Sequence, residues 1–157
     1  MTAPVTVVPA VIDYLVTTFR TNVPARVKVF DGPPTVDDVP SDFVAVAYAE
    51  DEESSAVDGE SVLSNFGNNI YAETFSVRCQ ISSFTGDAAL KPRRDRVSTL
   101  YATLVGLVRA DPSLGGIVRR PGMAEVSGFA WRQDPHEDGT DVTAVFDVQV
   151  VTTLWAN

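Results

Sequence analysis

The stretch Ile70 to Phe84, IYAETFSVRCQISSF, decides how this chain is read. Tyr71, Phe75, Val77, Cys79 and Ile81 fall on one side, and Thr74, Ser76, Arg78, Gln80 and Ser82 on the other. Successive side chains of a strand point to opposite faces, so this period of two predicts a long strand. One apolar side and one polar side belong to an antiparallel sheet that is buried on one face and wet on the other. The apolar side then needs a cover, and helices on one face are the economical solution.

The flanking sequence supplies that cover. Pro9 to Thr21 predicts a helix, with Val11, Ile12, Leu15, Val16 and Phe19 on one face and proline in the first turn. A second helix starts between Asp87 and Pro92 and runs to about Arg109, with Val97, Leu100, Tyr101, Leu104, Leu107 and Val108 as its stripe. Arg26 to Phe30 reads as a short strand ended by Asp31-Gly32-Pro33-Pro34, and Phe43 to Tyr48 as another. Met123 to Gln133 and Asp141 to Trp155 form a closing hairpin around an Asp138-Gly139 turn signal. Glu50 to Asn69 carries six acids, four serines and two glycines and reads as a long acidic loop. The expected architecture is α+β: one domain over residues 1–157, with a mostly antiparallel sheet of about five strands and two helices on one face.

Composition narrows the function classes. The chain has 157 residues, 45% apolar and 21% charged, which fits one globular domain and excludes a disordered or fibrous class. Its longest apolar runs, Phe43 to Ala49 and Leu104 to Val108, are far too short for a membrane-spanning helix, so no membrane partner is expected. The amino-terminal MTAPVTVVPAVIDYL has no basic region and contains Asp13, which argues against a signal peptide. With Cys79 as the one cysteine, no intrachain disulfide can form, and the residue reads as a small core side chain.

Charge is unevenly spread. Eleven acids and no Lys or Arg lie between Val29 and Val77, whereas seven of the twelve basic residues lie between Lys91 and Arg120. Two solvated patches explain this, and so does a subunit with unlike poles that meets its neighbour head to tail.

A search for chemistry yields little. His136, the one histidine, lies in the polar turn Asp134 to Gly139 and reads as a surface residue rather than a catalytic base. That turn imitates a calcium loop only in part, since Val145 stands where a bidentate glutamate belongs. No G-x-S-x-G elbow, dinucleotide fingerprint or P-loop occurs. The net charge of -9 disfavours a dedicated duplex binder, despite the KPRRDR cluster at Lys91 to Arg96. No catalytic residue, cofactor or metal is expected.

Several stretches together give the chain a familiar outline: the opening helix, the strand ended by DGPP, the acidic loop, ETFSVRCQISSF, RDRVSTLYATLVGLVRADPSL and the closing DVTAVFDVQVVTTL. Over nearly its whole length the chain resembles the tail terminator proteins of long-tailed, siphovirus-type bacteriophages. The resemblance rests on element order and texture and on no invariant motif. It implies a non-enzymatic structural protein of the virion tail or neck, assembled in the host cytoplasm. Its partners would be copies of itself in a homohexamer ring, the tail tube protein on one face and a head connector or stopper on the other. DNA would pass through the channel without sequence-specific binding. A connector, stopper or tail tube subunit shares this size and texture, and an acidic binding or inhibitor module is the alternative from another class.

On that reading the expected subunit contacts are Lys91, Arg93, Arg94 and Arg96, with Val62, Leu63 and Phe66 as apolar anchors. The basic residues are expected to be exposed, so that reversing Arg93 and Arg94 would spare the fold. The expected channel-facing acids are Asp31, Asp37, Asp38, Glu50, Asp51, Glu52 and Glu53, because an acidic wall repels the passing duplex.

Overall fold

In the computed structural model, residues 5–35, 39–65, 67 and 69–155 are described. The elements in chain order are α1 (Val8–Asn22), β1 (Lys28–Asp31), β2 (Asp42–Val46), β3 (Val57–Asn65), β4 (Ile70–Thr85), α2 (Leu90–Ala110), β5 (Met123–His136) and β6 (Gly139–Trp155). The described strands form one six-stranded sheet, with β4 at its centre. On one side β4 pairs along its length with β6, which pairs on with β5. On its other side β4 is shared: its first half pairs with β3 and its second half with β2. All these pairings are antiparallel, and β1 adds to β2 in parallel.

The alternation read from the sequence is the alternation of burial. Phe75, Val77, Cys79 and Ile81 of β4 are buried, as are Val44 and Val46 of β2. From β6, Val142, Ala144, Phe146, Val148 and Val150 join them. Val11, Leu15, Val16 and Phe19 of α1 and Val97, Leu100, Leu104 and Val108 of α2 close over this face as one core. Each buried side chain of this size removes apolar surface worth roughly 1.5 to 3 kcal/mol, which makes the layer the main source of stability. The fold is α+β, with both helices on one face of the sheet.

Residues 57–65 depart from the loop reading. They form β3, hydrogen-bonded to β4 from Val57 opposite Val77 to Asn65 opposite Ile70. Nearly every β3 side chain is exposed, so the strand carries no alternation for a sequence pattern to show. It exists because β4 offers a row of backbone donors and acceptors, not because its own residues seek a core. Of the expected loop, Glu50 to Ala56 stays outside the strands, within the connection from Ala47 to Ala56 between β2 and β3. The closing hairpin is also longer than its sequence signal: Pro135 pairs with Thr140 and His136 with Gly139. Gly139 packs so close to the Thr85 carbonyl that a Cβ would not fit there.

α1 has no side-chain cap of its own. Glu73 of β4, 4% exposed, takes that place: its Oε1 accepts hydrogen bonds from the Val7 amide at 3.1 Å and the Thr6 hydroxyl at 2.8 Å. A carboxylate against a helix N-terminus satisfies free amides and complements the helix dipole.

Cys79 lies wholly inside this core, and burial pushes its thiol up to about 12. The native protein is therefore expected to resist iodoacetamide at pH 8 and to be alkylated once only in denaturant, as mass spectrometry would report. Rapid labelling of the native chain would show that the core opens readily.

Candidate functional site

The basic turns of α2 are built around one buried carboxylate. Asp42 opens β2 on the helix-covered face, and its side chain is 2% exposed. Ser83, its cross-strand partner on β4, donates its hydroxyl to Oδ1. Arg26, from the segment between α1 and β1, donates Nε to Oδ2 at 3.2 Å, and Arg96 of α2 donates Nη1 to the same oxygen at 3.2 Å. Arg93, one turn earlier on α2, stands 3.9 Å from Oδ1 with its Nε buried and without a hydrogen-bond partner among the described residues. Positions 93 and 96 share a helix face, which is why both guanidiniums reach one acid.

This geometry corrects the expectation that the whole Lys91 to Arg96 cluster faces outward. Arg93 is only 14% exposed and serves the fold. Lys91 is exposed and pairs with Asp95 at 2.6 Å, one turn along α2. Arg94 is exposed and donates to Gln133 of β5 at 3.3 Å. Reversing Arg93 would place a second acid against Asp42, so it cannot leave the fold untouched.

The open face of the sheet carries the other candidates. Arg78 of β4 donates to Asp147 of β6 at 3.4 Å, and Arg132 of β5 donates to Glu50 at 3.4 Å. The second pair holds the start of the acidic loop to the open face. A cleft of about 320 Å³ lies there, between Asp51, Arg78, Arg132, Asp147 and Gly128. Gly128, at φ 56°, sits in a β-bulge between Ser127 and Phe129 that breaks the β5–β6 register. The Ser54 hydroxyl holds the Asp51 carboxyl below the usual carboxylate range, with Arg78 acting in the same sense. Burial raises the Tyr48 phenol, and the nearby Glu50 charge adds to it. Asp31, Glu52 and Glu53 are exposed, and Asp37 and Asp38 lie outside the described residues.

Of the apolar anchors, Val62 is 52% exposed, Leu63 is half-buried and Phe66 lies outside the described residues. The strand registers set Val62 beside Ala72 on β4, Trp155 beside Ile70, and Met123 beside Val151. These residues share the open face at one end of the sheet, and Trp155, Met123 and Val151 are all exposed. Sequence reading found Val62 but not Trp155, Met123 or Val151, because only cross-strand register brings three distant segments together.

No family model matches the sequence, and no curated protein matches it. The chain is similar to a chain in the solved structure of the virion of a native gene transfer agent particle. The identity is 15% and the TM-score 0.41, over 92% of this chain and 94% of that one. A likeness of that size carries no functional argument.

The Asp42 cluster gives a direct test. Asp42→Ala is expected to lower the unfolding free energy in urea by about 1 to 3 kcal/mol, because it leaves the largely buried Arg93 without its counter-ion and Ser83 without its acceptor, while the more exposed Arg26 and Arg96 turn to water. Arg93→Glu should destabilise strongly as well, whereas Arg94→Glu should change stability by less than about 0.5 kcal/mol. Equal, small effects at all three positions would mean that the cluster contributes nothing to the fold.

Proposed function

We propose that this chain is a structural subunit of a phage-type virion, a tail-terminator-like protein that assembles with its own copies into a ring. The observation that carries the reading is the uncovered apolar end of the open sheet face, at Val62, Trp155, Met123 and Val151. Grouped, exposed apolar side chains on a soluble domain mark an association surface. Beside them runs β3, a nine-residue edge strand without Pro, whose half next to this patch, Ser61 to Asn65, carries no charge to discourage pairing with another chain. The outline resemblance of the sequence to tail terminators supplies the kind of assembly: a ring capping a tail tube, with the tube on one side and the head connector on the other.

In this reading Lys91 and Arg94 stand at subunit joints, together with Val62 and Leu63. The exposed acids Asp31, Glu50, Asp51, Glu52 and Glu53 would line or rim the channel, where like charge keeps DNA from sticking. Asp31 ends β1 opposite Val46 of β2, and Glu50 is held over the open face by Arg132.

Native mass spectrometry across a concentration series tests the proposal. A closed ring of six is the expected species, and Val62→Asp should shift the population towards monomer without changing the far-ultraviolet spectrum. A species of one or two copies at every concentration would overturn the ring reading and favour an acidic binding module. A species of twelve would point to a connector.

A further inference from the structure

We infer that Arg26 and Arg96 form a preorganised receptor for a carboxylate of a second copy of this chain, supplied by Glu52 or Glu53. The inference rests on the ring reading and adds the polar joint of that ring.

The first ground is charge. Arg26, Arg93 and Arg96 bring three positive charges to Asp42, which returns one negative charge, so two remain uncompensated among the described residues (3 − 1 = 2). The second ground is geometry. Arg26 and Arg96 each have one hydrogen bond to Asp42, while their side chains stay 53% and 39% exposed. A guanidinium has five N–H donors in a fixed fork suited to carboxylates, so most of this donor capacity is still free. Asp42 orients both forks in advance, which lowers the entropy lost when a further acid docks.

The third ground identifies the acid. Asp95 already pairs with Lys91, Glu50 with Arg132 and Asp147 with Arg78. Glu52 and Glu53 are exposed and make no salt bridge among the described residues, as is true of Asp58, Glu60 and Glu125 on the strands of the open face. Glu52 and Glu53 are preferred because they are adjacent and stand on a loop that can reach beyond the sheet. They follow Glu50, which is tied to the open face, whereas Asp42 and its arginines lie on the helix-covered face. Donor and receptor on opposite faces of one sheet do not meet within a chain. They meet when the helix side of one copy approaches the open side of the next, which is a heterologous contact and the kind that closes into rings. A two-fold dimer would instead bring like patches together.

A double-mutant cycle followed by native mass spectrometry at low and high salt tests this. Arg26→Gln with Arg96→Gln, and Glu52→Gln with Glu53→Gln, should each raise the protein concentration needed for half assembly by about tenfold, since the lost attraction recurs at every joint. The chain carrying all four changes should assemble within about threefold of either pair alone, because both pairs remove the same contact. Thermal unfolding of each variant serves as the fold control. Losses that simply multiply in the fourfold variant, or a wild-type ring that both neutralised variants form equally well, would overturn the receptor and leave the ring reading standing. A wild-type chain that never assembles would overturn both. Loss of duplex DNA binding in Arg26→Gln with Arg96→Gln, with assembly unchanged, would assign the arginines to phosphate and also overturn the inference.

Discussion

The covering of one face of the β4–β6 pair by two helices is the constraint on which the remaining structure depends. β4 and β6 are aligned from Ile70 opposite Trp155 to Thr85 opposite Thr140. Their helix-side residues form the floor on which α1 and α2 rest. A one-residue slip would turn every apolar side chain of a strand to water, so burial fixes the register as well as the face. Tyr101 of α2 shows the tightness of the fit, with its ring edge-on to Phe146 at 5.5 Å between centroids. Once this layer is set, the rest follows locally: β2 and β3 divide the free side of β4 between them, and Glu73 lies beneath the start of α1.

Within that frame the buried Asp42 governs how charge is displayed. An acid with a 2% exposed side chain has to be compensated, and three arginines from two segments converge on it. This draws Arg93 into the fold and leaves Lys91, Arg94 and the partly exposed Arg96 as the outward charges of the first α2 turns. The basic pole is therefore smaller than the count of basic residues implies. The acidic side is divided in the same way, since Glu50 and Asp147 hold arginines on the open face while Glu52 and Glu53 stay unbridged among the described residues.

β3 and the sheet end beside it give the subunit its unfinished character. A polar edge strand and an apolar patch on an uncovered face are both surfaces that a lone domain normally blunts. Here they adjoin one another, through Val62, Ala72 and Trp155. The bulge at Gly128 is a contrasting device on the opposite edge: it interrupts β5 and turns Phe129 towards Tyr101, 6.1 Å away between ring centroids.

Elements that bury an apolar face were legible from residues alone. The period-two pattern from Tyr71 to Ile81, the stripes of both helices and the alternation of β6 record burial directly, because each position's hydropathy reports which side it faces. The Asp138-Gly139 signal located the hairpin, though not its length, since Pro135 and His136 read as turn residues. β3 was not legible, because an exposed strand held by backbone hydrogen bonds leaves no mark in side-chain chemistry. Nor was the role of Glu73 as the cap of α1, 66 residues away along the chain. The layers, the two charge blocks and the cysteine's place in the core follow from residue order and hydropathy alone. Folding is what sets Asp42 beneath Arg26, Arg93 and Arg96 and brings Val62, Trp155 and Met123 onto one uncovered surface. Those relations depend on strand order and register, which bring together residues that composition and spacing leave unrelated.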